Sequence, residues 1–540
     1  MMKKSLIFNI LALALLLNAC NVGEPMEQNY TVPSWTLYQR ALQSGKSIEE
    51  AKPLLVSKNY PYNINATINS DPSMQMGIVW FTNANVTGGV VQIAEGKINK
   101  FSIFTKSRKI TAVSAMIDTV NYVSIGNATV NNNAELIAAT GFLAGEKRSY
   151  TGNKAFINNL KPNTTYSYRV GKKRAWSETG SFTTAKNNKD AFEFIYVTDT
   201  QANTDEMFDV SKKTVEAAHR QMPDAKFLLI TGDLVESSGS QSSEWEWEQW
   251  FEKMQNVWLH LPIVPAQGNH DASPFGNMFH HFNTDNSYND GQTSDDAKTT
   301  MDGTVYSFVY GDALFMIINY EDFRKGDSYF DALEQWMRRQ ISENPDAKWK
   351  IVAYHKAMLT GASHQNGSDG RIVRERMAPV FKEIGIDLVL QGHDHVYEVI
   401  GVMDVGKPEG GIIYAHLPEA VGGQNSVEPT FTDGTVNSNP SISVAGKEGG
   451  TYNVSNGTVY FLNNSAGKKK YYPRSREQME ANFPQHGVQN YFDFFNKFGQ
   501  TGEPTFSRVK VSTEAIEIDT YTVDDNGKTV LFDTFKVVKD

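Results

Sequence analysis

Five short polar blocks interrupt apolar runs in this 540-residue chain. They are Asp199-Thr200-Gln201 after FEFIYVT, Gly232-Asp233 after KFLLIT, Gly268-Asn269-His270-Asp271 after LPIVPAQ, His355 after KWKIVAY, and Gly392-His393-Asp394-His395 after IDLVLQ. Taken singly, an aspartate after a strand is a turn residue and a histidine is a satisfied core group. Taken together, they can supply a ligand set of two carboxylates, one amide oxygen and three imidazoles, with one carboxylate placed to bridge two ions. Hard oxygen donors combined with imidazole suit Zn, Mn or Fe. Two such ions about 3.5–4 Å apart can clamp the attacking and leaving oxygens of an in-line displacement at phosphorus.

Each block must be held at the end of an element. From Ala191 onward, buried strands alternate with helices: FEFIYVTD, a helix over 209–221, KFLLITGD, and a helix carrying Trp247, Trp250, Phe251 and Met254 on one face. VYSFVY and ALFMIINY flank a Gly311-Asp312 turn, a hairpin signal. A helix over 328–342, the strand KWKIVAYH, a helix over 371–384 and the strand IDLVLQ complete the rhythm. The pattern predicts an α/β (α+β) sandwich of two mixed β-sheets flanked by helices, with the polar blocks at the carboxyl ends of its strands, where open α/β sheets place their sites. Residues 417–457, rich in Gly, Ser, Asn and Thr, read as a loop insertion, and the chain ends in alternating strands. Ahead of this unit, residues 66–186 are short alternating segments that predict an all-β sandwich. Its stretch LKP followed by TYSYRV resembles the late strands of a fibronectin type III fold.

Composition narrows the partners. With 51 basic and 61 acidic side chains the net charge is −10, which argues against holding a nucleic-acid polymer by phosphate neutralisation. One cysteine excludes a disulfide framework and a thiolate zinc cage. That cysteine follows Lys3, Lys4 and the apolar run Leu6 to Leu17, the layout of a secretory signal. Leu17-Asn18-Ala19-Cys20 resembles the lipobox of bacterial lipoproteins, whose cysteine becomes an acylated N-terminus; the plainer alternative is a cleaved signal with a chance cysteine. The expectation is a signal over 1–20, a spacer over 21–65, and an exported protein of the bacterial cell envelope, anchored to a membrane through lipid on Cys20 and facing periplasm or cell surface.

The ordered blocks GD, GNHD, VAYH and GHDH, through roughly all of 191–400, resemble the calcineurin-like metallophosphoesterases. The fibronectin-like domain ahead of them is the purple acid phosphatase arrangement. Position by position, the resemblance implies that Asp199, Asp233 and His395 hold a first metal. Asp233 then bridges to a second, completed by Asn269, His355 and His393. It makes His270 a phosphoryl contact or leaving-group aid, with Asp271 orienting its ring. His364, nine residues after His355, falls near a substrate-contacting histidine of the purple enzymes. The activity so implied is hydrolysis of small phosphate esters, chiefly monoesters, by in-line attack of a metal-bound hydroxide. A phosphodiesterase on the same site and a non-enzymatic binding lipoprotein are the alternatives.

Two positions depart from the family. Gln201 stands where many metallophosphoesterases have His and the purple enzymes have Gly; its amide oxygen either ligates weakly or hydrogen-bonds a neighbour. Glu236 stands where the purple enzymes have Tyr, so no tyrosinate-to-iron colour is expected and the metals (Fe, Zn or Mn) stay open. Glu236 itself reads as an extra ligand or, more simply, a solvated loop carboxylate.

Overall fold

The computed structural model describes residues 60–540 except for internal segments, the longest being 122–146, 289–300, 417–449 and 475–494. The signal-like segment with Cys20 and nearly all of the proposed spacer lie outside the described residues, as does most of the 417–457 insertion.

Apolar strands that are buried on both faces form the centre, as expected of parallel pairing. In the first sheet Phe192–Val197, Leu228–Thr231 and Ile263–Ala266 run parallel to one another. In the second, Ala313–Ile317, Trp349–Lys356, Leu388–Gly392 and Thr458–Asn463 do the same. The hairpin forms as predicted, with Tyr310 opposite Ala313 across Gly311 at φ 56°. Phe194, Phe227 and Phe308 pack on Phe315 between the sheets, Phe194 and Phe227 edge-on and Phe308 stacked.

Helices close the outside. Asp205–Gln221 starts at Thr204, whose hydroxyl accepts from the Met207 amide at 3.3 Å, and its first turn carries Asp205 and Glu206 against the helix dipole. With Glu244–Trp258 it covers the first sheet, burying Trp247, Trp250, Phe251 and Met254 as the spacing predicted. Asp327–Glu343 and Ser368–Ile384 cover the second sheet. The layers are helix, sheet, sheet, helix.

The N-terminal β unit is not a separate bead. Tyr62–Thr67, Met76–Asn83, Lys147–Ile157 and Val113–Asn121 extend the first sheet, and Tyr62–Thr67 pairs in parallel with Ile263–Ala266 to make eleven strands in all. A second small sheet, built on Val90–Glu95 and Thr165–Lys172, packs across them. Two predicted boundaries therefore move. The spacer cannot extend to residue 65, because Tyr62–Thr67 is a buried strand; Asn63 and Asn65 make it read as polar, yet Asn65 donates to the His281 carbonyl at 2.9 Å. The insertion cannot extend to 457, because Thr451–Asn453 pairs with the final strand.

Candidate metal centre

Three aspartate or histidine backbones in the polar blocks take left-handed conformations: Asp199 at φ 54°, Asp233 at φ 50° and His393 at φ 80°. Non-glycine residues adopt this region rarely and chiefly where surrounding structure enforces it. Here the blocks crowd one another. A Cβ on Gly268 would lie 2.2 Å from Asp233 Oδ1, and one on Gly392 would lie 2.3 Å from Thr198 Oγ1 and 3.0 Å from Asp199 Oδ2. The glycines of the two motifs let separate strands bring their carboxylates together.

His355 is the hub. Its Nδ1 donates to the Thr231 carbonyl at 2.8 Å, which turns Nε2 inward. That nitrogen lies 3.1 Å from Asp233 Oδ2, 3.1 Å from Asn269 Oδ1 and 3.2 Å from His393 Nδ1. A single N–H cannot serve three acceptors. Ligand atoms around an ion with bonds of ~2.0–2.2 Å stand ~3.0–3.4 Å apart, so these four donor atoms fit a cation. Asp233, His355 and His393 alone already bring one donor atom each within 4.8 Å of one another.

Beside them stands a second incomplete set. His395 Nδ1 donates to the Lys469 carbonyl at 3.0 Å, and its Nε2, 3.2 Å from Asp199 Oδ1, is buried without a hydrogen-bond partner. Asp199 also accepts from the His393 amide at 3.1 Å, joining the two sets. Buried polar atoms are normally satisfied, so an orphaned imidazole nitrogen facing a carboxylate also fits a metal.

The electrostatics agree. Burial pushes the Asp233 carboxyl up, but the imidazoles of His355, His270 and His393 outweigh it and hold the group well below the usual carboxylate range. Burial alone would lower His355, yet Asp233 carries it up to about 10. His393, buried and facing His355 and His364, falls well below the usual imidazole range.

Of the remaining predicted residues, His270 lies at the rim. Its Nδ1 donates to the Glu236 carbonyl, its amide donates to Asp233 Oδ1 at 2.9 Å, and its Nε2 is 4.0 Å from Asp233 Oδ2. Asp271 does not orient this ring, contrary to expectation. It is buried and accepts from the Leu234, Val235 and Gly268 amides, fastening the GNHD loop to the Gly-Asp loop. The ring is set instead by a backbone carbonyl. Glu236 is not a solvated carboxylate: 13% exposed, it pairs with Lys469 at 2.5 Å and accepts from Gln201 Nε2 at 3.0 Å. His364 joins the site, with Nδ1 2.5 Å from Asp394 Oδ1 and its ring centroid 3.9 Å from that of His393. Sequence reasoning passed over Asp394, which sits within GHDH beside two histidines, a pairing that could have drawn notice. Lys469 and Tyr471, the latter stacked on His395 at 4.5 Å, carry no local signal.

Comparison with known proteins agrees with this construction. Residues 192–397 match the calcineurin-like phosphoesterase family, and residues 61–184 match the purple acid phosphatase N-terminal domain. Residues 192–397 thus form a calcineurin-like metallophosphoesterase domain, of a family that uses dinuclear metal centres. The chain carries this domain behind a purple acid phosphatase N-terminal domain. An uncharacterised protein of Mycobacterium tuberculosis is 24% identical over 310 residues, 51% of this chain and 57% of its own length. A probable purple acid phosphatase 20 of Arabidopsis thaliana is 26% identical over 256 residues, 46% of this chain and 56% of its own. The rat serine/threonine-protein phosphatase CPPED1 is 25% identical over 281 residues, 50% of this chain and 78% of its own. The chain therefore spans little more than half of the mycobacterial and Arabidopsis relatives. Purple acid phosphatase PPD1 from yellow lupin shares the fold at a TM-score of 0.57 and 15% identity, covering 89% of this chain and 75% of its own. PhoD does so at 0.52 and 12%, covering 89% and 91%.

Proposed function

We propose that this chain is a dinuclear-metal hydrolase of small phosphate monoesters, exported and lipid-anchored at the bacterial cell envelope. The observation that carries the reading is the convergence of Asp233, Asn269 and His393 on His355 Nε2, with the Asp199–His395 pair alongside. Ions held there supply Lewis acidity toward a phosphoryl oxygen and lower the pKa of water. Asp199 and His395 would hold one ion, Asn269, His355 and His393 the other, and Asp233 both.

The chain's own groups do the rest. Asp199, Asp233, His355 and His395 are buried, whereas the His270 and His364 side chains keep 30% and 38% of their surface. An ester entering the site meets these two imidazoles first. With Nδ1 committed to the Glu236 carbonyl, His270 presents Nε2 to hold a proton at the leaving oxygen. With Nδ1 committed to Asp394, His364 presents Nε2 to a non-bridging oxygen, the extra charge that separates a monoester from a diester.

Purified full-length protein should contain two metal ions per chain and lose turnover on chelation. It should hydrolyse nitrophenyl phosphate faster than the bis-nitrophenyl diester. A reversed ratio would make it a phosphodiesterase, and protein free of metal and of turnover would make it a binding lipoprotein. The anchor is tested separately: Cys20→Ser should move the protein from the membrane fraction to the soluble fraction, since stable attachment requires acyl chains. Unchanged fractionation would sink the anchor and leave the hydrolase untouched. Among the described residues, no helix is long and apolar enough to cross a membrane.

A further inference from the structure

The unsettled residue of the site is Gln201. Its side chain is 1% exposed and its Oε1 is buried without a hydrogen-bond partner. It sits two residues beyond Asp199 on the same turn, and its backbone carbonyl borders Gly467, in the segment that leads to Lys469. An orphaned amide oxygen is costly when nothing replaces its water. His395 Nε2, beside Asp199, is likewise buried without a hydrogen-bond partner.

The other half of the amide explains the orientation. Nε2 donates to Glu236 Oε2 at 3.0 Å, while Glu236 Oε1 is fixed by Lys469 Nζ at 2.5 Å. Rotating the amide by half a turn would set its oxygen against a carboxylate oxygen at hydrogen-bond distance. Charge therefore forbids the flip. The same two residues also place histidines through their main chains: the Glu236 carbonyl accepts from His270 and the Lys469 carbonyl accepts from His395. One ion pair thus ties together the carbonyls that set both rings and the acid that sets the amide.

From this geometry we infer that Gln201 Oε1 is a ligand of the first metal, alongside Asp199, Asp233 and His395, and that Glu236 and Lys469 are positioning residues that hold its oxygen toward the ion. The inference rests on the dinuclear reading above and deepens it. It also gives Glu236 a task at the position where the resemblance led us to look for a tyrosine: it steers a neutral oxygen ligand instead of supplying a charged one. A carbonyl oxygen is a harder donor than imidazole and favours Mn²⁺ over Zn²⁺ at that site.

Titration of metal-free full-length protein with Mn²⁺, followed by calorimetry and by the loss of the free-ion electron paramagnetic resonance signal, tests the assignment without recourse to turnover. The unaltered protein should bind two Mn²⁺. Gln201→Ala should retain one site and weaken the other by at least ~10–100-fold, the scale for removing even an outer partner of a metal ligand. Glu236→Gln, which leaves the amide free to turn, should weaken the same site in the same direction. Gln201→His should restore binding but move the preference from Mn²⁺ toward Zn²⁺, a change that a merely structural glutamine would not produce. Two Mn²⁺ sites of unaltered affinity in Gln201→Ala would overturn the ligand assignment alone. Fewer than two sites in the unaltered protein would overturn the dinuclear reading and this assignment with it.

Discussion

Asp233→Asn should strip the protein of its metal pair and of nearly all turnover. The substitution preserves shape and the capacity to accept the His270 amide at Oδ1, but it removes the charge that faces His355 at 3.1 Å and is shared by both proposed ions. Metal stabilisation of the transition state is worth several kcal/mol, and each ~1.4 kcal/mol is a decade in rate. The expected fall in kcat is therefore on the order of 10³-fold or more, with metal analysis reporting fewer than two ions per chain. A variant that kept both ions and normal kcat would reduce Asp233 to a turn residue with an unusual φ.

The second large effect belongs to His270→Ala, and it depends on the substrate. A nitrophenolate leaves without help, whereas an alkoxide requires a proton. Loss of the donor should lower the rate on alkyl phosphates by about 10²–10⁴-fold and leave nitrophenyl phosphate far less affected. A plot of rate against leaving-group pKa should steepen. The geometry supports this because Nδ1 is occupied by a main-chain carbonyl, leaving Nε2 as the working nitrogen. The proximity of Asp233 and Glu236 raises the imidazole pKa against the effect of burial, which keeps the proton available. An unchanged slope would leave His270 as a phosphate contact only.

The proposed ligand positions were legible in the sequence because they lie at the ends of strands whose apolar runs identify them. Asp199, Asp233, Asn269, His355, His393 and His395 come together in the structure through the parallel order those runs imply. What was hidden depends on partners far along the chain. Glu236 reads as a loop carboxylate until Lys469, 233 residues later, is placed beside it. Asp271 reads as a histidine's companion because it follows one, yet its carboxylate turns to the Leu234 and Val235 amides of a different loop. Tyr62–Thr67 escaped because its asparagines suggest solvent, and only the fold shows that the Asn65 amide is used inside, on the His281 carbonyl. Local pattern reports which element forms; it is silent on which distant group satisfies a buried polar atom.

The strand Ile263–Ala266 leads straight into the loop that carries Asn269 and His270, and on its other side it is paired not with a catalytic-domain strand but with Tyr62–Thr67. The Ile64 main chain and the Gln255 side chain exchange hydrogen bonds at 3.0 and 2.7 Å across the same seam. Excision at the boundary between the two family matches would leave an active-site strand as a raw sheet edge, the kind of surface that recruits other chains. The division by sequence family is consequently not a division of the sheet, and a cut between the two stretches runs through its strand pairing.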